Sequence, residues 1–168
     1  MRFLLIALGF LCSNRARAED DCTFSQSDQK KIRASVQERH PGATLDVDSR
    51  ALRWTTPEAE TTLVYGGCVD LGSEITESRP RSAKRSEKEV LARALMLAER
   101  FWTPDLISAG AVATETLRRS VGKKQWRRVL EPGQVRYEFR DPTYTVLAVT
   151  HRLADGKEVV RLEWVGAF

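Results

Sequence analysis

The sequence predicts an α+β protein, with one or two antiparallel sheets packed against two or three helices. Three observations carry this. A capped, widely apolar helical pattern occupies the middle of the chain, from Ser86 to Trp102. Short runs of period-two alternation cluster on either side of it, at 45–75 and 135–164. Gly, Pro and Asp punctuate those runs at hairpin spacing. The resulting order is helix–strands, helix–helix–strands. It fits one continuous sheet under the central helices, and equally a degenerate tandem of helix-plus-strands units whose residues do not repeat.

The elements follow in order. Ser25 or Ser27 can cap a helix reaching about Arg39, with Ile32 and Val36 as its i, i+4 apolar pair and Pro41-Gly42 as its stop. Leu45 and Val47 share one strand face and Leu52 and Trp54 another, with Asp48-Ser49-Arg50 turning between them. Thr61 to Tyr65 is a strand, and Val69 to Ile75 continues or pairs with it after Gly66-Gly67. Ser78 to Arg85, containing Pro80, is expected to be a polar connector. In Ser86-x-x-Glu89 each side chain can satisfy a backbone N–H left free at a helix start, which is a capping box. Leu91, Leu95, Ala98 and Trp102 then form a stripe, flanked by Val90, Ala94, Leu97 and Phe101, wide enough for a central core helix. Thr103-Pro104-Asp105 restarts a helix that runs to about Val121, before Gly122, with Gly110 as its weak point. Pro132-Gly133 opens the second strand group. Val135, Tyr137 and Phe139 alternate, Asp141-Pro142 turns, and Tyr144 to His151 is a strand. Ala154-Asp155-Gly156 turns again before Val160, Leu162 and Trp164.

Residues 1–18 have the three parts of a secretory signal: Arg2, the apolar run Phe3 to Leu11, and the small-x-small end Ala16-Arg17-Ala18. That run is shorter than the roughly 20 residues a membrane span needs, and no later segment is long and apolar enough to be one. A buried N-terminal helix is the alternative, but Glu19, Asp20 and Asp21 follow at once. The expected organisation is therefore a cleaved leader, 1–18, and a single α+β domain, 19–168, exported to the periplasm or secreted where there is no outer membrane. Cleavage removes Arg2, Arg15 and Arg17, lowering 27 cations to 24 against 23 acids. A net charge of +1 gives no general warrant for nucleic acid or membrane binding.

Cleavage also removes Cys12 and leaves two cysteines. An even pair in an exported chain is most simply a disulfide, here Cys22–Cys68, closing a loop of about 46 residues worth on the order of 4 kcal/mol in the chain-entropy model. A reactive thiol is the alternative.

A search for chemistry finds no G-x-S-x-G elbow, H-E-x-x-H, P-loop or dinucleotide fingerprint. His40 is expected to act as a cation at a helix end, and His151 as a solvent-exposed residue at a strand end. With both thiols consumed, ligands are too few for a zinc site, so neither metal nor cofactor is expected. Asp46/Asp48 and Asp70/Glu74 are the carboxylate pairs open to an acid/base reading, although strand faces commonly carry such pairs. The expectation is a protein that is not an enzyme.

Two segments are candidate partner-binding sites. Arg118, Arg119, Lys123, Lys124, Arg127 and Arg128 fall between Glu115 and Glu131 with no acid among them, and Trp126 is interleaved. In an exported protein such a cluster suits an acidic protein surface, and nucleic acid is not expected; a solvated helix end with Trp126 in the core explains it equally. The second is Tyr65-Gly66-Gly67-Cys68-Val69-Asp70-Leu71-Gly72, read as a bridge-anchored loop presenting Tyr65 or Asp70. A Tyr-Gly-Gly-Cys strand end in a small, leader-bearing chain with an N-terminal Cys resembles exported immunity proteins that neutralise interbacterial toxins, type VI secretion effectors included. That resemblance implies a protein partner, a toxic or lytic enzyme, occluded without chemistry. An envelope accessory factor binding a lipid, glycan or assembly partner, and a small periplasmic hydrolase, are the other expectations.

Overall fold

Among the described residues, eight antiparallel strands form one sheet, with every described helix on the same side of it. The computed structural model describes residues 26–46, 51–66, 70–81, 85–102 and 108–167. The leader, both cysteines of the expected bridge, Asp48 and the Thr103-Pro104-Asp105 restart lie outside the described residues. The elements are α1 (Gln26–Arg39), β1 (Thr44–Asp46), β2 (Ala51–Thr55), β3 (Glu60–Gly66), β4 (Asp70–Pro80), α2 (Glu87–Phe101), α3 (Ser108–Lys123), β5 (Arg127–Glu131), β6 (Gln134–Glu138), β7 (Val146–Ala154) and β8 (Lys157–Ala167). Strand order is β1-β2-β3-β4-β8-β7-β6-β5. Two four-strand meanders therefore meet at the last strand of each, and α2 and α3 carry the chain from the centre of the sheet to its far edge.

The β4–β8 seam is the longest pairing, eleven residues on each strand, centred on Ile75 opposite Leu162. Those two side chains and Trp164 are fully buried beneath the helices. Complete burial of an Ile or Leu side chain contributes about 1.5–3 kcal/mol. Helix α2 begins as its capping box requires: the Glu89 amide donates to Ser86 Oγ, and the Ser86 amide donates to Glu89 Oε2 at 2.7 Å. Its buried face is Val90, Leu91, Ala94, Leu97, Ala98 and Phe101, the stripe set out by the sequence. Trp102 follows, donating its indole N–H to Ser73 Oγ at 3.0 Å and packing edge-on to Trp164. Gly110 is the point where α3 meets this corner. A Cβ there would lie 3.1 Å from Cβ of the buried Trp102, so the glycine permits close helix packing rather than marking a weak turn.

Several expectations need correction. β4 runs on to Pro80, where a polar connector was expected, because its whole length pairs with β8 and Pro80 stands at the strand end. α3 continues through Gly122 and stops with Lys124 at φ 55°, whose amide donates to the Val121 carbonyl. β5 was expected to be loop and helix end. It is an edge strand, with Leu130 69% exposed, so burial imposed no apolar alternation on its sequence. Leu45 stands directly opposite Leu52 and so shares its face of the sheet.

Candidate binding face

Register assigns each strand residue to one of two faces. Ser73, Ile75 and Glu77 on β4, with their neighbours Trp164, Leu162 and Val160 on β8, point to the helices. The alternate residues lie on the other face, which no described helix covers. One transverse row there crosses all eight strands: Thr44, Arg53, Thr62, Thr76, Arg161, Thr150, Arg136 and Val129. The next row carries Glu74, Glu163 and Glu138 on β4, β8 and β6. Threonine and arginine suit such positions, because β-branched carbons pack on the pleat and long stems cover it while their polar ends stay wet.

The two rows are stitched together. Arg161 bridges Glu74 and Glu163, each at 2.8 Å. Arg136 reaches Glu163 at 2.5 Å and Glu138 at 3.4 Å, and Arg127 on β5 reaches Glu138 at 2.6 Å. Thr76 Oγ1 donates to Glu74 at 2.9 Å. A ladder of alternating charge thus runs from the β5 edge to β4. Beside it a hollow of about 420 Å³ is lined by Thr62, Glu74, Arg136, Thr150, Arg152 and Arg161 among others. Arg152 is exposed and makes no ion pair among the described residues.

The helix side holds a second ionic group, and it is structural. Glu77, 2% exposed, takes Arg79 at 2.6 Å and both Nε and Nη2 of Arg93 on α2. Glu158, 3% exposed, takes Arg85 at 2.7 Å and His151 Nε2 at 3.0 Å. These pairs fasten the start of α2 to β4 and β8. His151 is therefore not the solvent-exposed strand end that was expected. His40 does stand at the end of α1, as expected, but a charge is disfavoured on it there. Its ring lies 5.6 Å from Trp54 and 5.2 Å from Phe101, and burial, with Arg100 and Arg39 nearby, holds its pKa below the ordinary value.

The predicted partner-binding residues do not form one patch. Arg118, Arg119, Lys123 and Lys124 lie on or just beyond α3, whereas Arg127 and Arg128 stand on opposite faces of β5. Acids meet half of them: Glu115 one helical turn away and Glu99 on α2 at Arg118, Glu138 at Arg127, and Glu87 at Arg128. Arg119 helps Thr143 and Thr116 keep the Asp141 carboxyl below its usual range, against the effect of burial. Trp126 is half-buried against the core. Tyr65 cannot be presented to a partner: it is 4% exposed on the helix side, 6.4 Å from Trp164, and burial pushes its hydroxyl up to about 12. Asp70 opens β4 opposite Ala167, and Glu74 stands four residues further along the same strand.

The missed residues are those of the uncovered face: Arg136, Thr150, Arg152, Arg161, Glu163 and Thr62. Their signal was the polar half of each alternating strand. Its meaning depends on register, which joins residues as distant as Thr62 and Arg161. No family model, curated protein or solved structure matches the chain. The fold and face together define a helix-backed antiparallel sheet with one broad polar surface.

Proposed function

We propose that this is an exported binding protein of the immunity or inhibitor kind, which occludes a toxic or lytic enzyme with the helix-free face of its sheet. The observation that carries the reading is the row of Thr and Arg across seven strands, from Thr44 to Arg136, beside its ladder of paired charges. Occlusion requires a broad, rigid surface whose polar groups are held in place before contact, so that little entropy is lost on binding. Strand pairing fixes the backbone of this face, and the salt-bridge ladder fixes its side chains. On the opposite side Glu77 and Glu158 fasten α2, and Arg85 just before its cap, to the sheet. Of the sequence-predicted cations Arg127 stands on this face, at its β5 edge, where an exposed guanidinium can speed encounter with an acidic partner.

The test is affinity capture with the natural chain from periplasmic extract, followed by assay of the captured enzyme. One equivalent of the protein should abolish its activity, and the bound chain should have the intact mass expected from Glu19 onward with Cys22 and Cys68 bridged. A captured enzyme that remains active when saturated, or a chain retaining residues 1–18, would overturn the reading.

A further inference from the structure

Resting on that reading and adding its recognition chemistry, we infer that the hollow on the uncovered face receives an acidic side chain from a protruding loop of the partner enzyme. Three arginines line the hollow, Arg136, Arg152 and Arg161, against one acid, Glu74. The ladder acids all lie to one side, in the row of Glu138, Glu163 and Glu74. On the other side the neighbouring row places Arg152 between Gln134 and Val159, and its acids, Glu131 on β5 and Glu60 on β3, stand two or more strands away from it. Arg152 therefore has uncharged cross-strand neighbours on both sides.

Donor capacity agrees. A guanidinium carries five N–H donors and a carboxylate accepts from two of them in a fork. Arg161 meets both Glu74 and Glu163 through the same Nη2, which leaves the rest of its fork for a guest. Arg152 has its full set. The Thr62 and Thr150 hydroxyls sit in the same transverse row as Arg161 and Arg136, where they can complete the shell of an incoming oxygen. A volume of about 420 Å³ is at the small end of ligand pockets, which suits a side-chain tip better than a folded element. The flanking rows of Thr and Arg then meet the rest of the loop.

The probe is a head-to-tail cyclic peptide carrying glycine–aspartate–glutamate–aspartate–glycine, titrated into the isotopically labelled natural chain and followed by NMR. Saturable shifts should centre on Thr62, Thr150 and the Arg152 and Arg161 side chains. Arg152→Glu should weaken binding at least tenfold with its melting temperature preserved, whereas Lys123→Glu with Lys124→Glu should change it less than twofold. A peptide with Asn and Gln in place of the acids should bind at least tenfold more weakly, and sulfate at equal ionic strength should not reproduce the shifts. Equal binding of the neutral peptide, shifts mapping to Lys123 and Lys124, or an Arg152→Glu variant that binds normally would each overturn the site. The two readings fail separately. An enzyme inhibited equally by the natural chain and by Arg152→Glu removes the hollow and keeps occlusion. Peptide binding at the hollow by a chain that inhibits no captured enzyme keeps the carboxylate site and removes occlusion.

Discussion

His40 lies where α1 ends, its amide bonded to the Val36 carbonyl and its ring in the angle between Trp54 and Phe101. An imidazolium in that place would lose water and face the guanidinium groups of Arg100 and Arg39, so the folded chain prefers the neutral ring. The sign of the pH effect follows. Above the unfolded value of about 6.5 both states are neutral and the packing contributes in full. As pH falls below that value the unfolded chain takes up the proton first, and stability declines until the lower folded value is passed. His40→Phe keeps a ring against Trp54 and Phe101 but cannot be protonated. Urea midpoints at pH 7.5 and pH 5.0 should therefore diverge less in the variant than in the natural chain. Equal pH dependence in both would remove His40 as a source of acid sensitivity.

At the scale of elements, the capping box, the α2 stripe and the alternating strands β6 and β8 were legible because burial wrote a period into them. Ser86 and Glu89, or Leu162 and Trp164, can be read without knowing their neighbours. β5 and the far half of β4 were not legible, since an exposed edge and a strand bearing a buried ion pair carry polar residues where apolar ones are expected. Glu77 shows the reason: it occupies a core position on β4, and its partners among the described residues are Arg93, sixteen residues on in α2, and Arg79. Removing one member of such a group is expensive because the partners keep their charge without its counterpart. Glu77→Leu should destabilise the protein by about 3 kcal/mol, discounted for the partial exposure of both arginines. Adding Arg93→Leu should recover at least half of that loss, because an apolar pair of similar volume can replace an ionic one. Chemical denaturation of the two variants measures both numbers; a double variant no better than the single would show that the clamp holds α2 in a way apolar packing cannot replace.

For the whole molecule, the sheet order reads the same from either edge, β1 to β4 on one side and β5 to β8 on the other, which invites the view of two units joined side by side. The core argues for one unit. Trp164 of β8 packs with Tyr65 of β3, Trp102 after α2 and Tyr144 before β7, so its surroundings come from both meanders and from the helical layer. The ion pairs repeat the pattern, for Arg93 and Arg79 close on β4 while Arg85 closes on β8. Separating the meanders would strip the β4–β8 seam of its hydrogen bonds and expose Ile75, Leu162 and Trp164 together. Neither half has a covered sheet edge of its own at that seam, and α2 cannot serve one half without leaving the other. Unfolding should consequently be a single cooperative step despite the symmetric strand order. Tryptophan fluorescence, which reports the aromatic cluster, and far-ultraviolet circular dichroism, which reports the sheet as a whole, should give coincident urea midpoints. Two resolved midpoints, with the fluorescence change confined to one of them, would instead make each meander a folding unit and the seam an interface between them.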